Sequence, residues 1–82
     1  MDIVKLTETI IKKMVDDPET VSVKQFESDD ENVILLEVLI SNNDIGRVIG
    51  KDGKIIASIR TVVQAAASLN ENKKVNINID SY

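Results

Sequence analysis

All three glycines of this 82-residue chain fall inside one octapeptide, Gly46-Arg47-Val48-Ile49-Gly50-Lys51-Asp52-Gly53. Glycine reaches backbone conformations closed to other residues, so the clustering of every glycine in one place asks for a reason. Twenty-two of the apolar residues are Ile or Val, Phe26 and Tyr82 are the only aromatics, and Pro18 is the only proline. β-Branched residues at this density favour strands and well-packed helix faces over loops. A chain of this length fills one small core, so residues 1–82 are read as a single domain.

The periodicity places the elements. Ile3, Leu6, Ile10 and Met14, joined by Val4, Ile11 and Val15, recur at helical spacing opposite Lys5, Glu8, Lys12 and Asp16, which predicts an amphipathic helix over 3–16. Asp2 suits its N-cap, and Asp17-Pro18 ends it, because a residue before proline avoids the helical region. Strands follow at 21–26 and 33–40, separated by the turn formers Ser28-Asp29-Asp30-Glu31-Asn32, so the pair reads as a hairpin. Residues 33–40 are apolar on both faces apart from Glu37, the pattern of a central strand. Val75, Ile77 and Ile79 alternate with Asn76, Asn78 and Asp80 as a half-exposed strand. Helical patterns at 44–49 and 54–69 connect it to the central strand, and a helical crossover implies parallel pairing. The expected fold is α+β in the order α-β-β-α-α-β, a three-stranded sheet with helices packed on one face.

Composition then narrows the chemistry. With no cysteine and no histidine, the chain lacks disulfides, thiolate or imidazole metal sites, cysteine nucleophiles and histidine bases. Asp29, Asp30 and Glu31 lack the ligand spacing of a calcium loop and read as a solvated turn, so no metal or other cofactor is expected. No paired carboxylates or activated serine follow from the spacing, and a non-catalytic protein is expected. No apolar run approaches the ~20 residues of a membrane span, and the first residues, Met1-Asp2-Ile3-Val4-Lys5, carry an acid where a signal peptide needs a base. A cytoplasmic location is expected.

The glycine segment remains. It is neither the G-x-G-x-x-G of dinucleotide folds nor a Walker loop, since Lys51 is followed by Asp52 rather than Ser or Thr. It is a tight Gly-x-x-Gly corner between two helices, with Lys51 and Lys54 beside it and a helix N-terminus behind, an arrangement that suits an anion. Caps alone also account for such a corner, with Gly50 ending one helix and Asp52 starting the next.

Residues 48–56, Val48-Ile49-Gly50-Lys51-Asp52-Gly53-Lys54-Ile55-Ile56, resemble the KH signature V-I-G-x-x-G-x-x-I, and the element order resembles the type II KH fold. Residues 44–51 together with Ile59-Arg60-Thr61-Val62-Val63 resemble the KhpA family of small bacterial single-domain KH proteins. The resemblance implies that Gly50, Lys51, Asp52 and Gly53 clamp about four backbone nucleotides of single-stranded RNA, with bases in an aliphatic groove. Ile49 and Ile56 are then candidates for the groove floor, and Ile55 for the core. Arg47, Lys51, Lys54 and Arg60 are the candidate phosphate contacts, and with Asp44 and Asp52 they leave residues 44–60 locally positive in a chain whose net charge is −4. Asp52 departs from the phosphate logic, since an acid in the clamp repels RNA.

The resemblance further implies an RNA chaperone or post-transcriptional regulator. It implies partnership with a KhpB (Jag/EloR)-type RNA-binding protein and a link to cell elongation, cell shape and peptidoglycan homeostasis. A competing reading keeps the KH fold as an interaction module with vestigial RNA binding. The helix over 54–69 bears on both, because its apolar arc of about 160° is wider than the ~100° one sheet face requires. A homodimer is expected through the flank Ile56, Val63 and Ala67 with the small Ala65. The alternative is that this flank seals the domain's own core.

Overall fold

A computed structural model describes all 82 residues. Its first helix, α1 (Ile3–Lys12), begins where Asp2 accepts a hydrogen bond from the Lys5 backbone N–H at 3.1 Å. It buries Ile3, Thr7 and Ile11, one residue per turn, and the Thr7 hydroxyl is satisfied by donating to the Ile3 carbonyl at 2.8 Å. The helix stops four residues short of the expected end at 16. The last turn tightens, with the Lys13 and Met14 N–H groups donating three residues back to the Ile10 and Ile11 carbonyls at 3.3 and 3.0 Å, and beyond it the N–H groups of Asp16 and Asp17 donate to the two carboxylate oxygens of Asp44, each at 3.1 Å. Met14 and Val15 still pack on the core from the turn that follows.

The hairpin forms from β1 (Ser22–Phe26) and β2 (Val33–Ile40), paired antiparallel with Val23 opposite Val38. Its turn is built from side chains binding backbone, Asp30 N–H to Ser28 Oγ at 3.1 Å and Asn32 N–H to Asp30 Oδ1 at 2.8 Å. β3 (Lys74–Ser81) lies parallel to β2, with Leu36 opposite Ile77, and the sheet order β1-β2-β3 puts β2 in the centre. Ile34, Leu36, Val38 and Ile40 are buried on one sheet face, whereas Val33, Leu35, Glu37 and Leu39 are only half-buried on the other. The helices therefore cover one face, as the pattern implies.

Two helices make the crossover. α2 (Ile45–Ile49) is a bare turn and a half, too short to be stable alone, and is anchored by the fully buried Val48. α3 (Lys54–Glu71) is the long one, ended by Asn72 in the left-handed conformation. It buries Ile56, Ile59, Val63 and Ala67 at successive turns, side chains that contribute about 1.5–3 kcal/mol each where they are large. This corrects the interface expectation for Ile56, Val63 and Ala67: the flank seals the protomer's own core, because α1 packs against α3 and closes the extra width of its apolar arc. Ile55 is corrected in the opposite sense. It stands 40% exposed rather than in the core.

Gln64 ties α3 to the start of β3, its amide donating to the Lys73 carbonyl at 3.0 Å and accepting from the Val75 N–H at 2.9 Å. One cluster of 14 buried apolar residues, drawn from α1, β1, β2, α2, α3, β3 and the α1–β1 connection, forms the core.

Candidate nucleic-acid interface

The glycine corner is a single tight turn. Gly50 ends α2 with φ 77° and ψ 175°, Lys51–Gly53 form a short turn that passes through left-handed backbone, and Gly53 leads into α3 with φ 72° and ψ 17°. Gly50 is held there by two constraints. Its φ is costly for any L side chain, and a Cβ would lie 2.5 Å from Cγ1 of Ile55. At Gly53 only the left-handed φ favours glycine, since a Cβ would meet nothing within 4 Å. Asp52 sits at φ 57°, ψ 23° between them, a left-handed conformation that Asp and Asn tolerate better than other non-glycine residues. This gives the acid a conformational reason to be in the turn. It does not serve as N-cap of α3, whose cap is Gly53 and lacks a side-chain hydrogen bond.

The α3 N-terminus is thus left uncapped behind the turn, with the positive end of its peptide dipoles facing the loop. Lys51 and Lys54 are exposed on either side of it. The structure contains two ion pairs, Lys12–Glu8 and Arg47–Asp16, and neither lysine belongs to them. Two free ammonium groups and an uncapped helix end therefore surround a loop that projects no bulky side chain from Gly50 or Gly53. Such an arrangement suits an anionic group and leaves room for its close approach.

The other expected residues divide. Arg47 stands three residues before the clamp, but its guanidinium donates to the Asp16 carboxylate at 2.9 Å. Arg60 is not brought to the clamp: it donates to the Ile77 carbonyl of β3 at 3.1 Å, about 9 Å along the α3 axis from Lys54. Ile49 is half-buried beside the turn, while Ile56 is sealed at 5% exposure and offers no groove floor. The apolar surface next to the clamp comes from Ile49 and from Ile55, whose side chain lies across Gly50.

Sequence reasoning missed Asp44. It is 1% exposed, and its carboxylate satisfies the chain at residues 16–17 rather than capping α2. The only local signal was the Asp17-Pro18 break, whose backbone donors must find partners somewhere.

A two-helix Gly-x-x-Gly corner set against a three-stranded mixed sheet, in the order α-β-β-α-α-β, defines a KH fold. The family model for the KhpA/KhpB KH domain matches residues 4–79. The chain is 49% identical over 75 residues to the RNA-binding protein KhpA of Clostridium perfringens, covering 92% of this chain and 96% of that one. It is 41% identical over 71 residues to the RNA-binding protein KhpA of Listeria monocytogenes, covering 87% and 90%. The chain belongs to the KhpA/KhpB KH-domain family. Its fold is similar to part of Era in the crystal structure with MgGDPNP and nucleotides 1506–1542 of 16S ribosomal RNA, at TM-score 0.69 and 17% identity. That likeness covers 96% of this chain and 29% of the other.

Proposed function

We propose that this protein is a non-catalytic binder of single-stranded RNA, with Gly50–Gly53 as the clamp and Lys51 and Lys54 as its phosphate contacts. The observation that carries the reading is the Gly-x-x-Gly turn at the uncapped N-terminus of α3, flanked by two lysines without acidic partners. The names of its relatives support the ligand class. Few phosphates meet the protein, so one domain binds weakly and log affinity falls gently with log salt, about −0.7 per phosphate. Arg47 is paired with Asp16, and Arg60 binds the Ile77 carbonyl of β3.

Association belongs to the same reading. α3 turns Ile55, Val62 and Leu69 to solvent, 40%, 52% and 86% exposed and seven residues apart, with the small Ser58 and Ala65 between them. Heptad spacing of this kind suits packing against a second helix. The proposed homodimer, or heterodimer with a KhpB-type partner, uses this outward seam and retains Ala65 from the expected interface. Two clamps on one strand raise the apparent affinity. The regulatory and chaperone role, cytoplasmic location and connection to cell-wall growth complete the proposal by family likeness.

The deciding experiment is Lys51→Asp, which puts two consecutive acids in the clamp. Binding to an unstructured oligoribonucleotide, followed by fluorescence anisotropy, is expected to weaken about tenfold or more through loss of a charge-assisted contact. The melting temperature should remain within the change expected of an exposed loop residue, about 0.5 kcal/mol of stability. Undiminished binding by a folded Lys51→Asp protein would replace the clamp with the interaction-module reading.

A further inference from the structure

Arg47 comes to the edge of the clamp with its charge already answered. Its partner, Asp16, belongs to the connection between α1 and β1, and the two side chains meet at 2.9 Å while remaining 57% and 72% exposed. The contact is built from beneath. The buried Asp44 carboxylate takes the N–H groups of Asp16 and Asp17, and the Asp44 carbonyl accepts the Arg47 N–H at 3.0 Å. One residue thereby fixes the backbone at both ends of the ion pair, so the pairing of Asp16 with Arg47 follows from the fold. It leaves Lys51 and Lys54 as the unpaired cations next to the turn.

We propose that Asp16 is an affinity-limiting residue of the RNA interface, an intramolecular stand-in for phosphate that occupies Arg47 until a strand displaces it. The proposal rests on the RNA-binding reading and adds to it a residue outside the Gly-x-x-Gly motif. A carboxylate and a phosphodiester oxygen seek the same guanidinium N–H groups. A phosphate approaching Arg47 also meets a negative charge well inside the ~8–10 Å over which exposed charges are felt. Asp16 is displaceable, since an exposed ion pair in water is worth at most about a fivefold factor. The clamp therefore engages RNA through its lysines first, and Arg47 joins only at the cost of its internal partner. A strand that does not reach the lysines gains little from Arg47.

The test is a double-mutant cycle with Asp16→Asn and Arg47→Ala, read by anisotropy of a labelled unstructured oligoribonucleotide between about 50 and 200 mM salt, a range in which phosphate contacts are resolved. Asp16→Asn keeps the backbone N–H that Asp44 holds, so the fold is retained, and circular dichroism melting checks this. The expected result is about two- to fivefold tighter binding at the lowest salt, with a salt dependence steeper by about 0.7 as one more phosphate is neutralised. That gain should vanish when Arg47→Ala is added. Unchanged or weaker binding by Asp16→Asn, or a gain that survives Arg47→Ala, overturns the proposal while leaving the Lys51 clamp intact. If neither wild type nor Asp16→Asn binds RNA, the RNA reading and this proposal fall together.

Discussion

Single side chains decide the shape of the Gly50–Gly53 turn, and its two glycines are not equivalent. Replacing Gly50 forces a Cβ into Ile55 as well as an unfavourable φ, whereas at Gly53 only the φ is paid, about 1–2 kcal/mol for an L residue. Gly50→Ala is therefore expected to lower stability by about 2–4 kcal/mol and Gly53→Ala by about 1–2, a difference visible in chemical denaturation midpoints. Equal losses would show that Ile55 yields freely. Asp52 belongs to the same account: its left-handed backbone explains its presence, though its charge opposes a phosphate ligand. The motif in the sequence marks these four positions, but the reason Gly50 is the stricter one lies in a side chain that the pattern assigns to the core and the fold lays over the loop.

Among the elements, the parallel pairing of β2 with β3 depends on how α3 hands the chain to β3. The first residues of β3 have no hairpin to hold them; the Lys74 N–H donates to the Asn32 carbonyl at 2.9 Å, and Gln64 binds Lys73 and Val75 together. Gln64→Ala leaves a part-buried donor and acceptor unpaired, so it is expected to cost about 1–3 kcal/mol. Hydrogen exchange should localise the effect, with the Val75 amide losing more protection than those in the middle of β3. If all β3 amides respond alike, the register is held by the sheet itself. Arg60 illustrates the limit of sequence reading at this scale. A basic residue two turns into a helix that follows a phosphate motif reads as a phosphate contact, yet the fold aims it at the Ile77 carbonyl.

For the whole molecule the question is which apolar surface remains once the domain has closed. A helix can be read as too apolar for one sheet face without revealing that α1 covers the surplus. Ile56, Val63 and Ala67 go to the core, and the uncovered seam is Ile55, Val62 and Leu69. On the proposed homodimer, Val62→Glu, at the centre of that seam, should leave the melting transition cooperative while shifting light scattering from dimer mass to the 9.1 kDa protomer. A wild type that scatters as a protomer at high micromolar concentration would remove the homodimer.

What this sequence determined by itself is everything that depends on near neighbours. Helical and alternating periods, the Ser28–Asn32 turn and the Gly50–Gly53 corner are properties of a few consecutive residues, and together with the crossover rule they specified α-β-β-α-α-β with β2 in the middle, although not where α1 ends. The family signature is local in the same sense. Tertiary structure alone decided where long side chains end and which charges cancel. Asp44 and the backbone at Asp16 and Asp17 are far apart in the chain, as are Asp16 and Arg47, and their meeting is set by packing α1 and α2 on one sheet face. A local charge balance computed along the chain therefore counts Arg47 as free, while in the folded protein a distant carboxylate has already claimed it.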